Sequence, residues 1–320
     1  MSLLDATQSA SRNEKDRSTL LINEAEAQSL AERLPDLLIE AMRISTTIAH
    51  GIHGRRRAGP GETFWQFRQY ESTDAASLID WRRSGSSDHL YVREREWEAA
   101  HTFWLWADLS PSMDFCSHLS QRSKRDRALV LLLAIAELLV RSGERVGLLG
   151  LTRPTANRKA TARLTEVIAA NISAPQFVTG LPPEERLPRH SGVVLIGDFL
   201  SPVQEINARV SALAASGTNG HLIQVFDPAE EALPYDGRAE FLSPMGGERW
   251  IADRVESLRH EYVDKLAAHK ASIADHAGQL GWSHVTHHTD KSAADPLLRL
   301  IFRLQNSVAS GGEARAGGFA

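Results

Sequence analysis

Hydrophobic and polar positions change rhythm twice along the chain. Between residues 23 and 48, Leu30, Leu34, Leu37, Leu38, Met42 and Ile48 fall at three- and four-residue spacings. That spacing predicts one amphipathic helix, with Pro35 near its start or at a kink. The next stretch, GIHGRRRAGPGETFWQFRQY (51–70), loses all periodicity, because Gly51, Gly54, Gly59, Pro60 and Gly61 interrupt any regular element. Aromatic and arginine positions then alternate irregularly through Trp81, Tyr91 and Trp97, with short strands such as HLYVRE among them.

From about residue 101 short apolar runs alternate with longer ones. HTFWLWAD (101–108), RVGLLGL (145–151), SGVVLIGDFL (191–200), HLIQVFD (221–227) and WSHVTHHT (282–289) predict buried strands. KRDRALVLLLAIAELLVRSG (124–143), closed by Gly143, predicts a helix, as do RLTEVIAANI, VQEINARVSALAASG, roughly 250–280, and PLLRLIFRLQNS. Strands alternating with helices imply a mostly parallel sheet covered on both faces. The fold class expected is α/β, doubly wound, with an N-terminal helical and irregular extension. Its expected organisation is a disordered tail over 1–22, the helix and Arg/aromatic segment over 23–100 packing on the main domain, the α/β domain over 101–305, and a flexible tail over 306–320.

Bulk properties narrow the setting. The 320 residues carry 42% hydrophobic and 24% charged side chains, ordinary for a globular protein, and a net charge of −4 that does not favour wholesale nucleic-acid binding. The longest apolar run, 128–140, contains Glu137 and is too short to span a bilayer at ~1.5 Å per residue, so it reads as a buried core helix. The N-terminus lacks the basic-then-apolar order of a signal peptide, and a lone Cys116 excludes an internal disulfide framework. A soluble, cytoplasmic protein is expected.

Chemistry concentrates at strand ends. FWLWADLSPSM (103–113) runs from five apolar side chains into Asp108, Ser110 and Ser112, spaced two apart. On a loop leaving a strand's carboxyl end, such acceptors can converge on a hard cation such as Mg²⁺, or Mn²⁺ in its place. VVLIGD ends likewise at Asp198, and HLIQVFD at Asp227. Sites in parallel sheets form at carboxyl ends near a topological switch point. If the Asp108 and Asp198 strands are neighbours, two carboxylates and two hydroxyls meet, and a threonine would complete the set. Thr152, Thr155, Thr161 and Thr165 all lie in the intervening segment, Thr161 being the one carried into the candidate site. The plainer alternative is turn and cap chemistry.

Asp108-x-Ser110-x-Ser112 together with Asp198 resembles the metal-ion-dependent adhesion site of von Willebrand factor type A domains. That resemblance implies hydroxyls on Mg²⁺ and an open position for a partner's carboxylate. HGRRRAGPGETFWQFRQY, IDWRRS, LYVREREWE, SKRDRALVLLLA, GERVGLLG and FDPAEEALPYDG resemble the bacterial domain-of-unknown-function 58 family. This second resemblance implies a type A-like α/β domain behind a small extra segment, and a MoxR-type AAA+ ATPase as partner. Relatives often carry N-terminal transmembrane helices, and none is visible here.

Other constellations have duller readings. Arg55, Arg56, Arg57, Arg82 and Arg83 crowd one segment with Trp65 and Trp81, a composition able to bind single strands. Interleaved Glu62, Glu71, Asp74, Asp80, Asp88, Glu94 and Glu96 point instead to an internal ion-pair network or a protein-docking face. Phe64, Trp65 and Trp81 are expected to be buried against the main domain. His284, His287 and His288 read as surface histidines rather than zinc ligands, and Cys116 as a small buried side chain. The expected function is therefore a non-enzymatic interaction module that captures a partner's acidic side chain. The alternatives are a metal-dependent phosphoester hydrolase using Asp108 and Asp198, or a nucleic-acid binder through the arginine segment.

Overall fold

The computed structural model describes residues 28–49, 64–70, 79–85, 87, 89–95, 100–172, 179–244 and 249–304. The chain divides into two compact units, one formed by residues 1–49 with 101–320 and the other by residues 50–100. The block expected over 23–100 is thus divided, its helix belonging with the α/β unit.

Helix α1 spans 28–49, with Pro35 inside it and exposed. Leu30, Leu34, Leu37, Ala41, Ser45 and Ile48 form its buried stripe. Met42 was expected on that stripe but is exposed, because Ala41 and Ser45 take the inward positions of that turn. Arg33 pairs with Asp126 at 2.5 Å and Glu40 with Arg122 at 2.7 Å, so ion pairs join α1 to the start of a later helix.

In the second unit, β1 (Phe64–Gln69) pairs antiparallel with β2 (Tyr91–Arg95), and Ile79 bridges Val92. The short α2 (Trp81–Ser84) is capped by the Asp80 carboxylate, which accepts the Arg83 N–H. Trp81 is 66% exposed rather than buried, with Arg82 and Arg83 exposed beside it and the Arg83 guanidinium 5.4 Å over the Tyr91 ring. Trp65 lies in β1; Arg55, Arg56 and Arg57 fall outside the described residues.

The α/β unit begins with β3 (Thr102–Ala107), then α3 (Lys124–Arg141), β4 (Arg145–Leu148), α4 (Ala160–Ala170) and β5 (Gly192–Gly197). It continues with α5 (Val203–Ala214), β6 (Asn219–Phe226), α6 (Pro228–Ala232), β7 (Ala239–Leu242), β8 (Arg249–Ala252), α7 (Arg259–Gln279), β9 (Ser283–His288) and α8 over 294–304. The main sheet has the order β4-β3-β5-β6-β9, and every pairing is parallel. Side chains alternate faces along each strand. Trp104, Trp106, Val193, Leu195 and Leu222 pack on one face with residues of α5 and α7, while α3 lies against β3, β4, β5 and β6 on the other. Nearly every residue of α3 is buried, as expected for a core helix, and among the described residues no helix is long and apolar enough to cross a membrane.

The α/β expectation therefore holds, with one addition. The stretch before α7 forms a two-stranded hairpin, β7–β8, on its own small apolar cluster of Leu233, Ala252 and Val255. Leu242, Trp250 and Ile251 of this hairpin are exposed.

Candidate metal centre

The sheet order places the switch point between β3 and β5, since β4 follows β3 on one side and β5 lies on the other. Asp108 and Asp198 leave these two strands. The ladder holds to the last residue, with the Asp108 N–H donating to Ile196 O at 2.8 Å, after which the chains diverge. Gly197 makes the approach feasible: a Cβ there would stand 2.9 Å from Asp108 Cβ.

The loop after β3 organises itself through local hydrogen bonds. Asp108 Oδ1 accepts the Ser110 N–H at 2.8 Å, the short turn natural to Asx residues. Pro111 opens a 3₁₀ turn over Pro111–Asp114 behind Ser110. The Ser110 and Ser112 hydroxyls stand 3.0 Å apart, and Ser112 Oγ donates to Asp198 Oδ2 at 2.8 Å. Arg125 clamps the loop from outside: one guanidinium nitrogen donates to Leu109 O at 3.0 Å and Ser110 O at 3.2 Å, and the same nitrogen pairs with Asp114 at 2.6 Å.

Across the switch point, Asp198 Oδ1 accepts the Leu200 N–H at 3.2 Å, and its carbonyl accepts the buried Gln224 amide at 2.8 Å. The next residue, Phe199, has φ 50, an uncommon value for a side chain of this size. Its ring lies 6.3 Å from Trp106 and its carbonyl accepts from His269 Nε2 at 2.6 Å, contacts that hold the strained residue in place.

The four residues Asp108, Ser110, Ser112 and Asp198 are thus brought together, and Thr161 is not. Thr161 sits on α4, where its hydroxyl donates to Glu137 Oε2 at 2.8 Å. Glu137 lies thirteen residues along α3 from Lys124, roughly 20 Å at 1.5 Å per residue. Thr179 is exposed and donates its hydroxyl to Leu181 O at 3.2 Å. A Cβ on its neighbour Gly180 would lie 3.8 Å from both Asp108 Oδ2 and Ser110 Oγ. Gly180 also has φ 69, so the turn needs glycine there.

The largest surprise is Lys124. Its ammonium is fully buried and donates to Asp198 Oδ2 at 2.9 Å and to Glu230 Oε1 at 2.5 Å. A signal was present in the sequence: lysine and arginine at the first two positions of α3 oppose the helix dipole, which implies acids nearby. Asp227, the third acid-ended strand, is engaged elsewhere. It caps α6 in a capping box with Glu230 and accepts the Ser117 N–H and hydroxyl.

Asp108 Oδ2 is wholly buried and is one of eight buried side-chain atoms without a hydrogen-bond partner among the described residues. Among the four residues of the centre it alone is so placed. Burial, and then the Asp198 charge, push the Asp108 carboxyl up to about 7. A cation would relieve both effects. The donors are all oxygen, two of them neutral hydroxyls, and suit a hard divalent ion such as Mg²⁺ or Mn²⁺. Among the described residues no cluster of three His, Cys, Asp or Glu is arranged for a metal, so any ion here depends on the serines.

Two other expectations are corrected. His287 is buried, not on the surface, because both faces of the sheet are covered; burial holds it down at about 3. His284 meets Gln224 at 2.9 Å and His288 contacts Glu231, so neither is arranged with His287 as a ligand set. Cys116 is exposed, because it lies on the loop leading to α3 rather than in the strand.

The sequence model of the family described as "Protein of unknown function DUF58" matches residues 66–272. Over 312 residues the chain is 26% identical to the uncharacterized protein Rv1480 of Mycobacterium tuberculosis and to the uncharacterized protein Mb1516 of Mycobacterium bovis. Each alignment spans 92% of this chain and 95% of the relative. Two solved structures are similar at a TM-score of 0.36. The conserved hypothetical protein BatB from Bacteroides thetaiotaomicron has 16% identity over 65% of this chain and 100% of its own. An aerotolerance-related membrane protein from Bacteroides fragilis has 18% identity over 64% of this chain and 100% of its own.

Proposed function

This chain belongs to the DUF58 family of proteins of unknown function, and from its own site we propose that it is a non-enzymatic protein-interaction module built around a divalent cation. Asp108, Ser110 and Ser112 hold Mg²⁺ or Mn²⁺, Asp198 supports them through Ser112, and Thr161, engaged by Glu137, is left out of the set. The observation that carries this reading is the buried, unpartnered Asp108 Oδ2 beside two hydroxyls at the switch point. An ion held largely by neutral oxygens keeps positive charge, so a partner's carboxylate completing its shell gains strong, weakly screened attraction.

A MoxR-type AAA+ ATPase is the partner we assign, on the resemblance of residues 53–150 to a family whose members accompany such enzymes. The exposed Trp81 with Arg82 and Arg83 supports a second docking face.

The test is co-purification with the ATPase, with and without EDTA, on wild type, Asp108→Ala and a variant with Arg82 and Arg83 neutralised. EDTA and Asp108→Ala should each weaken the complex at least thirty-fold, matching the ~2–5 kcal/mol lost when a buried charged partner is removed. A complex indifferent to both removes the metal from the reading.

A further inference from the structure

We propose that Lys124 is the charge-setting residue of the centre, a tethered cation that opposes the metal ion and limits how tightly it is held. The inference rests on the metal reading above.

Lys124 is an unusual neighbour for such a site. Its ammonium bonds the same oxygen, Asp198 Oδ2, that accepts the Ser112 hydroxyl. A cation placed on Ser112 and Asp108 therefore faces a fixed positive charge one hydrogen-bonded residue away, in surroundings with almost no solvent. Repulsion between like charges is weakly screened there.

The local balance can be counted. Lys124 is paired with Asp198 and Glu230, and the charges acting on Asp108 are those of Asp198 and Lys124. Glu231 is taken by Lys270 and His288, and Asp114 by Arg125. Ionised Asp108, Asp198 and Glu230 against one ammonium leave a deficit of two positive charges, which a single divalent ion fills. Without Lys124 the deficit would be three: the ion would bind tighter, and the loaded centre would be anionic and repel a partner acid. Lys124 thus exchanges ion affinity for a loaded centre that is neutral overall and does not repel a carboxylate.

Mn²⁺ titration by calorimetry, with free Mn²⁺ followed by electron paramagnetic resonance, tests this on the full chain. Lys124→Gln should bind Mn²⁺ about tenfold tighter or more, and Glu230→Gln should bind it several-fold more weakly. The double variant should return towards wild type. If Lys124→Gln fails to fold by circular dichroism, comparing Glu230→Gln with the double variant isolates the same charge in a milder background. Affinities that ignore this charge order, or that fall when Lys124 is removed, overturn the inference while leaving the ion in place. If wild type and every variant leave Mn²⁺ free, the metal reading and the inference fall together.

Discussion

Lys124 Nζ and Asp198 Oδ2 meet at 2.9 Å with side chains 0% and 3% exposed, at the point where the order of strand addition reverses. Removing one partner of such a pair leaves an uncompensated buried charge, which typically costs ~3–5 kcal/mol. The pair therefore ties the stability of the α/β unit to the region that carries its chemistry.

Arg125 should govern the shape of the centre without contacting the ion. Its guanidinium spans Leu109 O, Ser110 O and Asp114, a geometry lysine cannot reproduce. Arg125→Lys is expected to retain the fold, by circular dichroism, yet lose about tenfold in Mn²⁺ affinity by calorimetry.

Gly220 should be intolerant of any side chain. A Cβ there would lie 1.8 Å from the Trp282 ring, which closes over β6 and donates to Thr218 O at 3.2 Å. Overpacking usually costs ~1–3 kcal/mol. Urea unfolding of Gly220→Ala should show a loss at or above the upper end of that range.

Helix α1 should contribute to the core and not act as a detachable arm. Leu34 is almost fully buried and Arg33 beside it pairs with Asp126. Leu34→Ala is expected to destabilise by ~2–5 kcal/mol, read as a lower urea midpoint with an unchanged slope.

Acid should unfold the protein partly through His221. Burial, and the nearby Arg303 charge, hold His221 down at about 4 in the folded chain, against 6.5 ordinarily. The unfolded chain then binds the extra proton first, so stability is full above pH 6.5 and declines as pH falls towards 4. Between pH 7.5 and 5 the loss is about 2 kcal/mol from this residue. In His221→Gln the measured fall over that interval should shrink by about that amount.

Much of this architecture was legible in the chain. Apolar runs ending at Asp108 and Asp198 named the strands, and alternation with helices implied a parallel sheet in which those strands could be neighbours, which brings the two carboxylates to one end of the sheet. What escaped was set by tertiary contact. Thr152, Thr155, Thr161 and Thr165 have equal claims in the sequence, and only the packing of α4 on α3 gives Thr161 to Glu137. Lys124 reads as an ordinary first-turn residue until Glu230, 106 positions later, is folded beside it. Hairpin β7–β8 was hidden because its outward residues, Leu242, Trp250 and Ile251, are apolar, erasing the alternation that marks a half-buried strand.

The strand order also bears on how the chain is made. Strand β3 acquires β4 early, but its other edge stays open until β5 emerges some 90 residues later, because the sheet grows first to one side and then to the other. At synthesis rates of ~5–20 residues per second, that edge and its tryptophans wait on the order of ten seconds on the ribosome. The same order that brings Asp108 and Asp198 together thus leaves one flank of β3 in the nascent protein without its neighbour for that interval.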